Sequence, residues 1–227
     1  MLGKINHFRN GVTMNRGLNS AEMLRQLERF LRGFDWSALT KSKQTILDSF
    51  LRVATREGIA NVSMRSLAAA AGVKPPTIYS HFPDGRDQVL ASAMKWHYSN
   101  FAHALKDVFS SCVSPEEYWE GLIRFHVTQQ LSRPENDIWD ALIATDRIAD
   151  LLPQLLRAEI ESWENFCDYM YSAIAQDLGY NDVDLSSRVL RKTLDAVGSW
   201  WKWDGSQEHL DQAVAYCGRI SRSIIGM

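Results

Sequence analysis

The stretch AGVKPPTIYSHF, residues 71 to 82, restricts the fold of this chain more than any other segment. Two adjacent prolines, Pro75 and Pro76, follow a glycine and separate two segments in which apolar residues recur at helical spacing. Proline breaks the interior of a helix but is well tolerated in the first helical turn, where its missing N–H would have no partner. The prolines therefore predict that a helix begins here, with Thr77 to His81 as its exposed turn.

The residues before the prolines predict two further helices. Between Thr40 and Gly58, apolar side chains recur every three or four residues, which indicates an amphipathic helix. Ser63 can cap a short helix that contains Leu67, and Gly72 supplies a tight turn after it. A helix set across another by such a turn is a helix-turn-helix, whose second helix enters the major groove of DNA with its N-terminal residues first.

The segment ILDSFLRVATREGIANVSMRSLAAAAGVKPPTIYSHFPDGRDQVL resembles the N-terminal DNA-binding domain of the TetR family of bacterial transcriptional regulators. The resemblance covers roughly residues 41–90, and order and spacing match across a whole three-helix unit. The features that carry it are the Ile-Leu opening, Gly58 before a β-branched residue, Ser63, Leu67-Ala68, Ala71-Gly72-Val73 and Tyr79-x-His81-Phe82.

Two positions depart from the family's pattern. Lys74 stands where the family often has a serine that caps the recognition helix. The turn from Pro83 to Arg86 is one residue longer than the usual turn, with Arg86 in the place of the usual lysine. These departures leave the expected fold unchanged.

The fold class expected is all-α, with an N-terminal three-helix helix-turn-helix domain followed by a larger helical domain. By resemblance, the larger domain binds a ligand and dimerises. The expected bounds are 1–38 for an N-terminal extension with one amphipathic helix, 39–88 for the DNA-binding domain and 89–227 for the effector-binding and dimerisation domain. Helices are expected at 86–109, 114–131 (from a capping box at Ser114), 138–145, 153–178, 185–203 and 207–224.

Charge is distributed unevenly along the chain. Up to Arg86 there are 13 Lys and Arg residues against 6 Asp and Glu, whereas the remainder has 12 against 21. A basic N-terminal third followed by an acidic remainder favours contact with a polyanion through the first part only. Ordinary solvated charge is the alternative.

The DNA-binding residues expected within this unit divide by role, because phosphate contacts position a protein and base contacts specify sequence. Phosphate contacts are expected from Lys41, Ser63, Ser66, Tyr79, His81 and Arg86; base contacts from Arg65, Lys74 and Thr77; apolar contacts to thymine methyl groups from Pro75 and Pro76. Ser80 completes the set. Ile78 and Phe82 are expected to be core.

The N-terminal extension admits two interpretations. Its helix, expected from Ser20 to Arg32, could contact DNA through Arg25, Arg29 and Arg32, or its apolar face could pack on the protein.

The last two expected helices carry apolar stripes and small residues. By resemblance they pair with their copies in a second subunit, and a dimer suits DNA half-sites about one turn apart. The expected dimer-interface residues are Leu190, Leu194, Val197, Trp201, Leu210, Val214, Cys217 and Ile224. The alternative is that these stripes are internal core.

Most of the eight tryptophans lie after Arg86, which favours a partly aromatic ligand cavity with a few polar groups, Arg147 among them. The effector expected is aromatic or apolar. The expected ligand-binding residues are Trp96, His97, Phe101, Trp119, His126, Trp139, Asp140, Ile143, Trp163, Phe166, Tyr169 and Trp200. Plain core is the alternative for each aromatic residue.

Other functional classes lack signals in the sequence. There is no GxSxG, P-loop, GxGxxG or HExxH motif, so an enzyme is not expected and no catalytic residue is assigned. No cofactor or metal is expected, and His97 and His103 are too far apart to share a helix face as i, i+4 ligands do. Three dispersed cysteines and the lack of a long apolar run favour a soluble cytoplasmic protein without membrane contact.

The sequence therefore predicts a homodimeric transcriptional regulator that binds double-stranded operator DNA. A repressor released by a small-molecule effector is the leading interpretation. A helix-turn-helix regulator gated by a protein partner, and an activator of the same fold, are the alternatives.

Overall fold

The fold is described from a computed structural model, which describes residues 8–9, 12–13, 17–34, 36, 39–133, 135–149 and 152–226. The side chain of Arg147, an expected polar ligand contact, lies outside this part. Within it the chain is helical, apart from a hairpin in which Phe8–Arg9 (β1) pairs antiparallel with Val12–Thr13 (β2). The expectation of an all-α fold is confirmed.

The N-terminal extension contains the expected helix, α1 (Leu18–Arg32). Its apolar residues Met23 and Leu27 are fully buried. A distant side chain supplies its N-cap, because the Asp177 carboxylate accepts a 2.7 Å hydrogen bond from the backbone N–H of Ser20. This helix is thus built into the fold through both its apolar face and its N-terminus.

Three helices and a 3₁₀ turn form the head of the molecule: α2 (Lys41–Glu57), the turn Ile59–Asn61, α3 (Met64–Ala71) and α4 (Pro75–His81). Thr40 and Ser63 cap α2 and α3 with their hydroxyls. Gly72, with φ +67°, ends α3 in the left-handed region that glycine adopts without strain. Pro75 and Pro76 occupy the first turn of α4, as the sequence predicts.

Four longer helices follow: α5 (Arg86–Ser110), α6 (Pro115–Ser132), α7 (Glu135–Ala149) and α8 (Gln154–Asp177). The Ser114 hydroxyl caps α6 by accepting from the N–H of Glu117. The Glu117 carboxylate, however, accepts from the N–H of Val113 at 2.7 Å, one residue before the position that a capping box requires. Helix α7 is longer than the expected span of 138–145.

The C-terminal region contains α9 (Asp184–Asp195), α10 (Val197–Trp200) and α11 (Gln207–Ile225). The expectation of one continuous helix over 185–203 is wrong, because the chain turns at Ala196. The Gln130 side-chain amide donates to the carbonyl of Asp195 at 3.0 Å, which occupies an acceptor that a continuing helix would use.

The chain divides into two compact units. Unit 1 contains Met1–Arg29, Ala104–Leu131 and Ile160–Met227, and unit 2 contains Phe30–His103 and Ser132–Glu159. The head therefore lies in unit 2 together with the first part of α5, all of α7 and the start of α8. The predicted domain bounds, 1–38, 39–88 and 89–227, divide the chain differently and stay a prediction.

Candidate nucleic-acid interface

Helix α4 has one buried face and one exposed face. Ile78 is fully buried and Phe82 is 4 % exposed, so these two side chains anchor the helix in the core of the head, as expected. The residues predicted to contact DNA lie on the other faces of α3 and α4, at the ends of these two helices, and at the first residues of α2 and α5. Lys41, Ser63, Arg65, Lys74, Pro75, Pro76, Tyr79 and Ser80 are exposed, and Ser66, Thr77, His81 and Arg86 are half-buried.

The ring of Tyr79 packs against the protein on one side and is exposed to solvent on the other. The side chain is 49 % exposed. Its ring lies beside the turn after α4, where a Cβ on Gly85 would be 3.7 Å from the Tyr79 ring. Gly85 adopts φ +75°, which lets the backbone turn there without a side chain. The turn thus supports the ring while the helix presents it at the surface.

Local hydrogen bonds fix several of the predicted DNA contacts. The Ser63 and Ser66 hydroxyls cap α3 reciprocally, with the two oxygens 3.0 Å apart. His81 Nε2 lies 3.1 Å from the Ser42 hydroxyl, which links the end of α4 to the start of α2. These side chains are held in place before any ligand arrives. No sequence pattern predicts the contact between Ser42 and His81.

Arg86 has a structural role within the head. Its Nε donates to the carbonyl of Val62 at 2.9 Å and its Nη2 donates to the carbonyl of Ile59 at 2.6 Å. The guanidinium thereby joins the first turn of α5 to the 3₁₀ turn between α2 and α3. Its Nη1 lies 3.8 Å from the Asp87 carboxylate, and the phosphate contact of Arg86 stays a prediction.

Two tryptophans connect α5 to other parts of unit 2. Trp96 Nε1 donates to Asp48 of α2 at 2.9 Å, and Trp36 Nε1 donates to Ser99 of α5 at 2.9 Å. The two indole rings meet edge to face, with centroids 5.1 Å apart. The sequence predicts only that each indole N–H needs an acceptor; it does not identify which residue supplies it.

Two of the three arginines of α1 are paired within their own helix. Arg25 and Arg29 lie 2.7 and 2.6 Å from the Glu22 carboxylate and are largely exposed. Together with the buried apolar face, this pairing favours the packing interpretation of the N-terminal helix over a DNA-contacting arm.

The predicted ligand-binding residues fall into both units. Those in unit 2 are Trp96, His97, Phe101, Trp139, Asp140 and Ile143. The rings of His97 and Trp139 are 5.9 Å apart, and burial lowers the pKa of His97 to about 4, so its imidazole is neutral at neutral pH. Trp139 is 3 % exposed, and its indole N–H has no hydrogen-bond partner in the described part of the chain. A ligand acceptor could satisfy that donor.

The other six are in unit 1: Trp119, His126, Trp163, Phe166, Tyr169 and Trp200. Trp119 is 2 % exposed and donates to Ser221 at 3.1 Å, and buried His126 lies 2.6 Å from the Tyr171 hydroxyl. Trp200, by contrast, is 39 % exposed. Trp119 and His126 thus have structural partners, and a ligand role for these six residues stays a prediction.

A buried charge cluster surrounds Asp195 in unit 1. Its carboxylate lies 3.1 Å from His126 Nε2, 3.3 Å from Arg191 Nη1 and 3.1 Å from Lys192 Nζ. Burial alone would raise the pKa of Asp195. The hydrogen bond and charge of His126, with the charges of Arg191 and Lys192, outweigh burial and hold this pKa at about 2. Arg191 also pairs with Asp168 at 2.5 Å.

The predicted dimer residues are mostly core. Leu190, Leu194, Val197, Leu210 and Cys217 are at most 6 % exposed within the single chain, so they offer no surface to a partner. The assignment of these five to the interface is corrected: their stripes face the interior of unit 1. Trp201, Val214 and Ile224 are half-buried. The outer faces of the same helices carry exposed apolar side chains instead: Leu185, Val189, Trp200 and Tyr216.

No group of three His, Cys, Asp or Glu side chains in the described part of the chain is placed to hold a metal ion. No described helix is long and apolar enough to cross a membrane. No disulfide joins Cys112, Cys167 and Cys217, and burial raises the pKa of the Cys217 thiol to about 11.

Residues 46–93 match the family model described as bacterial regulatory proteins, tetR family. This range contains most of α2, all of α3 and α4, and the first turns of α5. No sequence among curated proteins matches the chain.

Solved structures with a similar fold cover most of the chain. A tetR-family regulatory protein from Rhodococcus RHA1 is 13% identical with a TM-score of 0.67, covering 82% of this chain and 97% of that one. The ketosteroid transcriptional regulator KstR2 of Mycobacterium tuberculosis is 18% identical with a TM-score of 0.64, covering 81% and 95%. A TetR transcription regulator from Haloarcula marismortui is 15% identical with a TM-score of 0.64, covering 80% and 97%.

Proposed function

We propose that this chain, whose residues 46–93 match the family model of the bacterial regulatory proteins of the tetR family, is a homodimeric repressor that binds operator DNA. The observation that carries the proposal is the exposed face of α4, from Lys74 to Ser80, on a helix whose other face is anchored in the core. Such a regulator acts in the cytoplasm, where bacterial DNA lies, and has no catalytic task.

The contacts to DNA divide by chemistry. Lys74, Thr77 and Arg65 read base edges, and the rings of Pro75 and Pro76 meet thymine methyl groups. Phosphate contacts come from the hydroxyls and cations around them: Lys41, Ser63, Ser66, Tyr79 and His81. Ser80 completes the surface; its hydroxyl donates to the carbonyl of Thr77 at 2.8 Å, which leaves the oxygen able to accept.

The second subunit binds at the outer faces of α9, α10 and α11. Leu185 and Val189 are four residues apart on α9, so they share one exposed helix face. Trp200 and Tyr216 extend this apolar surface, with ring centroids 6.1 Å apart. Exposed apolar side chains grouped in this way are typical of a protein interface. Two recognition helices in one dimer can then meet two half-sites about one DNA turn apart.

A small effector releases the repressor from DNA. Neutral His97 and the unpartnered indole N–H of buried Trp139 support an effector contact in unit 2. Asp140, Ile143 and Phe101 lie nearby in sequence on the same two helices. The effector must bind the conformation that does not bind DNA more tightly, since equal affinity would shift nothing. Helix α5, which begins at the head, transmits the change.

Selection of binding sequences from a random DNA library tests the DNA-binding function. The purified protein is expected to enrich a two-fold symmetric site with half-sites about ten base pairs apart. Thr77→Ala should relax the preference at one position of each half-site, whereas Arg56→Ala, an exposed change elsewhere on the head, should leave the selected sequence unchanged. A library that remains random after selection would contradict the proposal.

A further inference from the structure

Unit 2 contains a cavity of about 460 Å³ that none of the twelve expected ligand residues lines. It lies between the 3₁₀ turn of the head, the first turns of α5, and α7. Its described walls are mostly apolar, with one cation and one hydroxyl among them. The side chains that matter for binding are Ile59, Arg86, Leu90, Ala141, Leu142 and Thr145, with Leu152 closing one side.

Two arginines hold the walls of this cavity in place. Arg86 fixes the Ile59 wall through its bond to the Ile59 carbonyl. On the opposite side, Arg157 Nη2 donates to the carbonyl of Leu152 at 2.9 Å, and the N–H of Leu152 donates to buried Asp146 at 2.6 Å. Arg157 and Asp146 pair with each other at 2.7 Å. The cavity is therefore preformed, which reduces the cost of ordering its walls when a ligand binds.

The size and charge of the cavity restrict its occupant. Small-molecule sites have volumes of about 300–1,000 Å³. At about 30 Å³ per water, this cavity corresponds to roughly 15 waters and accepts a ligand of about ten to fifteen non-hydrogen atoms. The only charged side chain among its described lining is Arg86. Arg86 Nη1 lies 3.8 Å from Asp87, beyond hydrogen-bond range, so its N–H groups can donate to an acceptor in the cavity.

We propose that this cavity binds an amphipathic monocarboxylate, whose apolar chain lies between Leu90 and Leu142 and whose carboxylate accepts from Arg86 Nη1. The bound molecule would contact both the 3₁₀ turn of the head and helix α7. Its site is distinct from the His97–Trp139 contact proposed for the effector above. Binding does not depend on the operator proposal, because it requires only the folded chain.

Calorimetric titration with decanoate, a twelve-heavy-atom monocarboxylate, tests the site on the full-length protein. Wild type is expected to bind decanoate saturably, and Ala141→Phe, which fills the cavity, should weaken binding at least tenfold. Ala144→Phe is the matched control, because Ala144 is an exposed alanine of the same helix outside the cavity. If Ala141→Phe fails to fold, Thr145→Phe serves as the blocking variant.

The neutral analogue 1-decanol tests the role assigned to Arg86. We expect it to bind at least fivefold more weakly than decanoate. Equal affinity for both molecules, no saturable binding of decanoate, or equal binding by the Ala141→Phe and Ala144→Phe variants would each overturn the proposal. None of these measurements involves DNA, so their failure is distinguishable from failure of the repressor function.

Discussion

Arg86 illustrates how the role of a single residue depends on its partners. The family resemblance predicts a phosphate contact for Arg86, because a basic residue is common after the recognition helix of that family. In the folded chain its Nε and Nη2 donate to the carbonyls of Val62 and Ile59, so it also has a structural role. Arg86, the first residue of α5, thereby fixes the 3₁₀ turn that precedes α3.

Replacing Arg86 by alanine is expected to destabilise the head. The substitution leaves two carbonyls without their donors, at a cost of about 1–3 kcal/mol in the free energy of unfolding. Arg56→Ala is the matched control, because Arg56 is 71% exposed and pairs with its neighbour Glu57; its effect should stay within about 0.5 kcal/mol. Urea unfolding measures both. Equal stability of the two variants would show that Arg86 does not hold the turn.

Because of Asp195, the free energy of unfolding is expected to fall at acid pH. Its pKa is about 2 in the folded chain and about 4 when unfolded, so the unfolded state binds the proton first as the pH falls. The stabilisation, about 2 kcal/mol, is complete above pH 4 and is lost between pH 4 and pH 2. Asp195→Asn should therefore lose stability at neutral pH, and its deficit should shrink across that window. Asp107→Asn, at an exposed carboxylate of α5, is the control, and urea unfolding at several pH values measures both. A deficit independent of pH would contradict this account.

At the scale of elements, α1 depends on a residue far away in sequence. Asp177, the last residue of α8, accepts hydrogen bonds from the N–H groups of Asn19 and Ser20 at 3.2 and 2.7 Å. A carboxylate at this position satisfies N–H groups that have no partner inside the helix and interacts favourably with the helix dipole.

Asp177→Ala should lower the free energy of unfolding by about 0.5–2 kcal/mol, the usual cost of losing an N-cap. Gln176→Ala removes an exposed neighbouring side chain and is expected to be neutral. Thermal unfolding followed by circular dichroism measures the difference. An unchanged melting temperature for Asp177→Ala would mean that α1 does not depend on this cap.

The elements also show what sequence patterns can and cannot predict. Caps and glycine turns are local, so Ser63, Gly72 and the proline start of α4 were predicted correctly. The break at Ala196 depends on Gln130, which is 65 residues away from the carbonyl it binds, and no local pattern contains that information. Periodicity marked the apolar stripes of α9 and α11 correctly, but it does not distinguish a stripe that faces the core from one that faces a partner.

At the scale of the whole molecule, the proposed function requires two copies of the head at a fixed spacing. The exposed apolar surface of Leu185, Val189, Trp200 and Tyr216 is the candidate contact between them. Val189→Glu places a charge in this surface, and burying an unpaired carboxylate is strongly unfavourable. The variant should therefore sediment as a monomer where wild type sediments as a dimer.

Leu18→Glu is the matched control for that experiment, since Leu18 is a 65% exposed leucine on α1, outside the proposed interface. It should leave the sedimentation of the dimer unchanged. A wild-type protein that is monomeric at micromolar concentration, or a Val189→Glu variant that remains dimeric, would rule out this surface as the interface.

The central claim is that the exposed face of α4 binds operator DNA, and one measurement tests it most directly. Binding to DNA from the region upstream of its own gene is measured over a series of salt concentrations, for wild type, Tyr79→Phe and the control Tyr180→Phe. We expect wild type to bind tightly and selectively, with affinity that falls as salt rises. Loss of the Tyr79 hydroxyl, at about 1.5 kcal/mol for a bond to a charged phosphate, should weaken binding roughly tenfold. Weak binding to any DNA, equal for all three proteins, would contradict the claim.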